Sequence, residues 1–394
     1  RDMPAAVKTG GARLRIALPT GIFPPDIGGP ASYVPRIADA LVSRGHAVDV
    51  VTLADDPAAG GKYSFPVRRI RRGMFRLLRM AETVAAVARS ARKADVIYAN
   101  GLFIEAAAAA AIARRPLAMK IVGDWAWERA RNRGEACGTV EEFQSRRQSL
   151  RAEAAKRLRT LVTRRAERIV TPSRYLAAVV AAWGIPARKI TVVYNALEAP
   201  PETQPAPLPA FSGDTLVTVA RLVSWKGIDG LLEMIAARKD WRLVVVGDGP
   251  ERRNLEALAN RLGVSDRTVF TGSVPRRQVF AYMKAADAFI LNSQYEGLPH
   301  IILEAYAAGI PVATTAAGGT KEVVEDGVNG LLLSPRRTEL LAAAVDRILS
   351  EPGLRESLIE GGRRTLQTRF RWETMVEETE KVLAEVAAAR RGGR

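Results

Sequence analysis

The sequence predicts an α/β protein of two Rossmann-like domains, each built on a parallel sheet, facing one another across a cleft. Three observations carry that prediction. Short apolar runs alternate with helical stretches along nearly the whole chain, which implies βαβ units and parallel sheets. Pro200, Pro201, Pro205, Pro207 and Pro209 crowd together near mid-chain, a density that breaks helices and strands and stiffens a linker. The charge balance also changes there: residues 1–200 hold 34 Lys+Arg against 17 Asp+Glu, whereas residues 201–394 hold 25 of each. The expected organisation is an N-terminal domain over 1–199, a proline-rich linker over 200–213 and a second domain over 214–370. A C-terminal helix and basic tail follow over 371–394.

The elements follow in order. Leu14 to Leu18 reads as the first strand. A Gly/Pro loop from Gly21 to Pro30 leads into a helix that ends at Gly45-His46, and Ala47 to Leu53 is the next strand. Further strands are expected at Val67–Ile70, Val96–Tyr98, Leu117–Ile121, Ile169–Val170 and Ile190–Val193. The second half gives Leu216–Val219, Leu243–Val246, Val269–Phe270, Ala288–Leu291, Val312–Ala313 and Leu331–Leu333, with helical segments between most of them. Trp372 to Val386 is helical, with Met375, Val376, Thr379, Val382, Leu383 and Val386 on one side. The sequence leaves open what that side packs on, a return to the first domain included. The tail from Arg390 to Arg394 is expected to fray, and no internal repeat is visible.

Composition excludes several classes. With 47% hydrophobic residues the chain has material for real cores and is not disordered. A single cysteine, Cys137, excludes an internal disulfide framework and a thiolate zinc cluster, and it reads as inert. His46 and His300 are the only histidines, so a multi-histidine metal site is excluded; both read as structural. The longest aliphatic run, Ala106 to Ala113, is far short of the ~20 residues of a spanning helix. No charged-then-apolar signal pattern opens the sequence. The expectation is a cytoplasmic protein that uses no metal.

The strongest local signal is Glu296-Gly297-Leu298-Pro299-His300-Ile301-Ile302-Leu303-Glu304, after the apolar strand Ala288–Leu291. Gly297 frees the backbone for a tight turn and Pro299 suits a helix start, whose open amides favour an anion. Glu304 lies about 7.5 Å along the helix from Pro299 at the α-helical rise. Two carboxylates so spaced can hydrogen-bond the hydroxyls of one polyol ligand. Apolar neighbours around Glu304 mean that its carboxylate needs a partner. Arg221 and Lys226-Gly227 follow the strand Leu216–Val219, placing two cations where α/β sheets hold ligands. Val246-Gly247-Asp248-Gly249-Pro250-Glu251 is a strand, glycine loop and helix start without the third glycine of the dinucleotide fingerprint.

These segments resemble the retaining glycosyltransferases of family 4, of GT-B fold. The resemblance rests on Val219-Ala220-Arg221-Leu222, Lys226-Gly227, Val246 to Pro250, Phe270-Thr271-Gly272, Ala286-Asp287 and the pair Glu296 and Glu304. It continues in Gly309-Ile310-Pro311-Val312 and Gly318-Gly319-Thr320-Lys321-Glu322. In the first half it rests on Phe23 to Pro30, Arg44-Gly45-His46-Ala47-Val48 and Thr171-Pro172-Ser173, so it covers nearly the whole chain. It implies a nucleotide-sugar donor, no cofactor and no metal. Arg221 and Lys226 would bind the donor diphosphate, where fixed cations suit the leaving group's charge. Glu304 would hold the ribose hydroxyls. Glu296 would contact the donor sugar, with Gly297, Leu298 and Pro299 close to sugar and phosphate. Gly28 and Gly29 would approach the diphosphate from the other domain, and Val274 lies where the base is held. Retention would come from front-face attack, the donor phosphate taking the acceptor proton.

There are two departures. Many relatives carry a histidine near the active centre in the first domain; here the segment reads Lys120-Ile121-Val122-Gly123-Asp124-Trp125. Asp124 is its nearest polar counterpart, a candidate to orient donor sugar or acceptor hydroxyl as well as a turn aspartate. The family's Asn-Gly pair before the linker reads Asn195-Ala196.

Sixteen of the seventeen excess positive charges fall in two stretches of the first half. Residues 62–93 hold ten bases against one acid, and residues 146–168 nine against two. Met74, Leu77, Leu78, Ala81, Val84, Ala85 and Ala88 share one helix face, and Leu150, Ala154, Leu158 and Leu161 form a stripe. Both apolar faces are expected to pack on the first domain, leaving arginines in water. The charge implies an anionic membrane surface and a lipid-linked or glycan acceptor, at ~1 kcal/mol per base near anionic headgroups. Two rivals remain: a nucleic-acid-binding protein using the basic half, which lacks any recognised zinc, RRM or basic-zipper motif, and a GT-B sugar isomerase or phosphorylase. Donor base, sugar, acceptor and oligomeric state are not legible.

Overall fold

The computed structural model describes residues 13–389 except residues 59, 137 and 336. Cys137 and the tail from Arg390 therefore lie outside the described residues.

The first domain runs β1 (Arg15–Thr20), α1 (Gly29–Ser43), β2 (Ala47–Ala54), β3 (Val67–Arg71), α2 (Arg76–Arg92), β4 (Val96–Ala99), α3 (Phe103–Ala113) and β5 (Leu117–Lys120). It continues through α4 (Trp125–Asn132), α5 (Val140–Ser145), α6 (Leu150–Arg164), β6 (Arg168–Thr171), α7 (Arg174–Ala181) and β7 (Ile190–Val192). The second comprises β8 (Asp214–Val219), α8 (Ile228–Ala237), β9 (Trp241–Val246), α9 (Arg252–Arg261), β10 (Thr268–Gly272), α10 (Arg276–Lys284), β11 (Ala288–Leu291), α11 (His300–Ala308), β12 (Val312–Thr315) and β13 (Leu331–Leu333). Three helices end the chain: α12 (Thr338–Ser350), α13 (Leu354–Arg369) and α14 (Trp372–Ala389).

The strands form two parallel sheets, ordered β3-β2-β1-β4-β5-β6-β7 and β10-β9-β8-β11-β12-β13. Every strand expected from the sequence is present, because inner strands of such sheets are covered on both faces and read as short, continuous apolar runs. Trp241–Val246 is buried at every position. In each sheet the strand order reverses beside the first strand: β1 pairs with β2 and β4, and β8 with β9 and β11. The crevice beyond the strand ends at such a reversal is where open α/β sheets bind ligands.

Helix α14 returns to the first domain. Its Met375, Val376, Val382, Leu383 and Val386 join a core with Leu18, Val34, Ile37 and Val50. Its register is fixed by polar contacts. His46 Nε2 donates to Glu380 at 2.9 Å, while Nδ1 accepts the Leu14 amide at 3.1 Å. Arg44 pairs with Glu380 at 3.0 Å. His46 is thus a structural residue, fixed in one tautomer by its two partners.

The two basic helices correct an expectation. Helix α2 buries Thr83, Ala86, Val87, Ala88 and Ala91 and exposes Phe75, Leu77, Leu78 and Met80, the first three by 62–68%. It packs closely on α3, a helix with six consecutive alanines from Ala106 to Ala111. Small side chains on both helices allow that approach, so the larger apolar side chains turn outward. Helix α6 buries Ala152, Arg159, Val162 and Thr163 and exposes Leu150 by 81% and Leu161 by 59%. Of the expected apolar faces only Ala88 is buried; Ala81, Ala85 and Ala154 are exposed along with the leucines.

Candidate active site

The loops after β8 and β11 meet at the strand reversal of the second sheet. The first carries Arg221 and Lys226, and the second carries Glu296. Gly227 follows Lys226 with φ +63 and its backbone against Asn292, whose amide donates to the Gly227 carbonyl at 2.9 Å. A Cβ at Gly227 would strike that segment, so the glycine lets the two loops touch. Across the contact Lys226 Nζ donates to Glu296 Oε1 at 2.5 Å, and the Ser293 hydroxyl donates to the same oxygen at 2.6 Å. Glu296 is 8% exposed. It is thus buried with a lysine and a hydroxyl as charge-assisted hydrogen-bond partners. Arg221 is exposed and makes no ion pair among the described residues.

Helix α11 sets the second carboxylate. Glu304, five residues on from Pro299, is buried and accepts from Arg276 Nε at 2.9 Å. Arg276 opens α10, just after Val274, which is partly buried. The partner that the sequence demanded for Glu304 is therefore a residue of the segment that bears Val274. His300 Nε2 donates to the Ala196 carbonyl at 3.2 Å, tying α11 to the chain before the linker; burial holds its pKa below the usual histidine value.

The first domain closes on this site. Ser173, the N-cap of α7, donates to the Gly297 carbonyl at 2.5 Å. The amides of Arg174 and Tyr175 donate to the Glu322 carboxylate at 2.9 and 2.7 Å, so an acidic group of the second domain sits at the helix N-terminus of the first. Trp127 packs on Trp225 and Tyr295 with ring centres 5.1 and 4.9 Å apart. A Cβ at Gly297 would stand 2.6 Å from the Val122 carbonyl, so glycine is what lets segment 295–297 meet segment 122–128. Leu298 and Pro299 are buried beside it. Gly28 (φ +152) and Gly29 open α1 beyond β1, at the strand reversal of the first sheet.

Asp124 is wholly buried. One oxygen accepts the amides of Ala126 and Trp127 at 3.0 and 3.3 Å; the other pairs with Arg159 and accepts from Gln144 at 2.9 Å. So occupied, Asp124 caps α4 and ties it to α6, the helix-start role that the sequence offered beside a role at donor or acceptor. The polar group that α4 does direct to the cleft is Glu128, one turn on. Its Oε1 would stand 2.6 Å from a Cβ at Gly123, a point only 3.7 Å from the Tyr295 hydroxyl oxygen. Burial pushes the Glu128 carboxyl up to about 7; Asp124 adds to the shift, and Arg221 and Lys226 oppose it. Neither Glu128 nor Arg276 carried a signal in the sequence, because each is defined by what the fold brings against it.

Comparison with known proteins gives the family and the fold. Residues 27–199 match Glycosyltransferase Family 4, and residues 204–365 match glycosyl transferases group 1. The chain belongs to glycosyltransferase family 4. It is 28% identical to an uncharacterized glycosyltransferase of Methanocaldococcus jannaschii, over 94% of this chain and 97% of that protein. It is 36% identical to LpsD of Rhizobium meliloti, a lipopolysaccharide core biosynthesis glycosyltransferase, over 46% of this chain and 54% of that one. Among solved structures, Anabaena HepE in complex with UDP and glucose superposes with a TM-score of 0.77 at 23% identity, over 94% of this chain and all of that one. The fold of this family 4 glycosyltransferase is GT-B, with its cleft between the two sheets described above.

Proposed function

We propose that the enzyme transfers a sugar, with retention of anomeric configuration, from a nucleoside-diphosphate sugar to a lipid-linked or glycan acceptor at an anionic membrane surface. The observation that carries the donor half is the contact of Lys226 with Glu296 beside Arg221, at the strand reversal of the second sheet. The diphosphate draws Lys226 and Arg221 onto its oxygens, and Glu296, released from Lys226 but still bonded to Ser293, turns to the sugar hydroxyls. Glu304, steadied by Arg276, takes the ribose hydroxyls, with the base near Val274. The bond from anomeric carbon to diphosphate oxygen breaks as the acceptor oxygen adds on the same face. The acceptor proton passes to the leaving diphosphate, whose charge Arg221 and Lys226 offset without a metal ion. HepE was solved with UDP and glucose, which supports a nucleotide-sugar donor.

The acceptor half rests on α2 and α6. Leu77, Met80, Ala81, Val84 and Ile112 line a shallow groove of about 550 Å³ rimmed by Arg89 and Arg92. Exposed Phe75, Leu78, Leu150 and Leu161 lie among further arginines. Apolar side chains interleaved with bases fit an anionic lipid surface, where acyl chains take the former and headgroups the latter. A nucleic acid would leave the leucines without a partner. No helix among the described residues is long and apolar enough to cross a membrane. LpsD acts in lipopolysaccharide core biosynthesis, a further support for a lipid-linked acceptor.

A panel of nucleotide sugars, scored by release of nucleoside diphosphate with and without membrane lipid extract, tests the reading. Release that depends on the extract, with sugar recovered on a lipid in the donor's anomeric form, is expected. An isomerase or phosphorylase gives a changed free sugar or a sugar phosphate instead.

A further inference from the structure

Glu128 has no place in the donor chemistry above, yet it is a first-domain carboxyl on which the diphosphate cations Arg221 and Lys226 act. Its position is built rather than incidental. Asp124, fixed by Arg159 and Gln144, caps α4 so that Glu128 falls on the cleft side one turn later. Trp127 wedges that turn against Trp225 and Tyr295 of the second domain, and Gly123 leaves the space that Glu128 Oε1 fills. The Glu128 carboxyl makes no hydrogen bond or ion pair among the described residues, whereas that of Glu296 has both Lys226 and Ser293.

Charge counting then decides what donor binding must do. Before the donor arrives, Lys226 is paired with Glu296, and the charges of Arg221 and Lys226 both favour the ionised form of Glu128. A diphosphate diester brings two negative charges and takes both cations. Glu128 then loses the two charges that favoured its ionised form and has no side-chain hydrogen bond or ion pair to replace them, whereas Glu296 keeps Ser293, so Glu128 is the carboxyl that gains a proton at least cost.

We infer that Glu128 takes up a proton as the donor diphosphate binds, so that the enzyme binds its nucleotide sugar with Glu128 as a neutral carboxylic acid. This inference rests on the donor site of the proposed function. The proton comes from solvent, no bond other than O–H forms, and the neutral acid can donate to a phosphate or sugar oxygen. The groups facing Glu128 are Asp124 on its own helix cap and, from the second domain, Arg221, Lys226 and the Tyr295 hydroxyl. The burial that holds the free carboxyl up at about 7 makes the cost of protonation small near neutral pH. The sign follows. Below pH 6 Glu128 is already protonated in the free enzyme and nothing is taken up. Above 7 it is ionised when free and must gain a proton on binding, so affinity falls as pH rises.

Titration calorimetry of the whole chain with UDP-glucose, GDP-mannose and ADP-glucose, in two buffers of different ionisation enthalpy, reads this directly. Their diphosphate groups do not titrate between pH 6 and 9, so uptake belongs to the protein. For the probe that binds, about 0.7 proton per site is expected at pH 8, falling to about 0.1 at pH 6. Kd is expected to weaken about five- to tenfold from pH 7 to 8.5. In Glu128→Gln, which mimics the neutral acid, both dependences vanish while the probe still binds. Wild-type binding without proton uptake at pH 8 overturns the inference. So does the same uptake in Glu128→Gln, which assigns it to another group such as Lys120, whose burial lowers its pKa to about 7. Binding of none of the probes at any pH overturns the donor reading, and this inference with it.

Discussion

The two domains share an architecture and differ in the balance of their charges: residues 1–200 hold twice as many bases as acids, and residues 201–394 equal numbers. In the second, basic side chains are matched to carboxylates: Lys226 to Glu296, Arg276 to Glu304, Arg238 to Asp346, Arg252 to Asp248 and Glu256, Arg347 to Glu351 and Arg355 to Asp287. The first has such pairs too, among them Arg72 with Asp26 and Asp55, Lys156 with Glu153 and Arg159 with Asp124, but its surplus leaves Arg76, Arg89, Arg92, Arg147 and Arg164 exposed on α2, on α6 or just before α6 with no ion pair among the described residues. A pair of this kind positions a charge until a ligand displaces it. Unmatched arginines keep a field that reaches about 8 Å into physiological saline. The first arrangement suits one diphosphate in one pose, and the second suits a surface.

Breaking the matched set should have the largest effect. Lys226→Ala and Glu304→Ala are each expected to lower turnover of the nucleotide sugar by two to three orders of magnitude, with Tm and far-UV circular dichroism close to wild type. Retained turnover in both would remove the donor site from these loops. Changing the unmatched set should act on location and leave donor chemistry intact. The triple substitution Phe75→Ser, Leu77→Ser and Leu78→Ser is expected to cut sedimentation with anionic vesicles about tenfold or more, while nucleoside-diphosphate binding stays unchanged. Raising salt should release the wild-type protein from such vesicles. Wild-type protein that ignores anionic vesicles at low salt would end the membrane reading.

A smaller effect concerns stability. Lys120 is buried, with no hydrogen bond to its ammonium and its Nζ 3.5 Å from the centre of the Tyr33 ring. Its pKa is lowered by burial to about 7, so the folded state disfavours the charge that the unfolded chain carries up to its higher, ordinary value. The penalty is full below pH 7 and shrinks as pH rises towards that value. Lys120→Met should therefore stabilise the fold by about 1–3 kcal/mol, more at pH 6 than at pH 9, as thermal melts will show. The smallest expected effect is that of EDTA, which should leave turnover within assay error, since Arg221 and Lys226 are proposed to carry the leaving-group charge.

How much of this was legible in the sequence follows from where the information lies. Parallel strands such as Leu243–Val246 announce themselves because burial on both faces leaves no polar alternation. The residues at the second sheet's strand reversal were legible because short motifs hold them at fixed spacing. Contacts made by the fold were not: Arg276 for Glu304, Ser173 for Gly297 and Glu322 for the start of α7 join segments 28, 124 and more than 140 residues apart. Asp124 stood out as a polar residue in the right loop, but its partner Arg159 lies 35 residues on and turns it inward. The apolar stripes of α2 and α6 misled because periodicity finds a face without saying which way it points. Alanines close enough to α3 won the core, and the leucines were left outside.

The claim that one domain recognises a diphosphate and the other a charged lipid surface is tested most directly by turnover on vesicles. Nucleoside-diphosphate release from the active nucleotide sugar would be followed on membrane lipid extract reconstituted in anionic or neutral vesicles, at low and high salt. The account predicts release only with the extract, fastest on anionic vesicles at low salt, and slowed by salt or by the α2 triple substitution. Release that is the same without lipid, or on neutral and anionic vesicles alike, would contradict it.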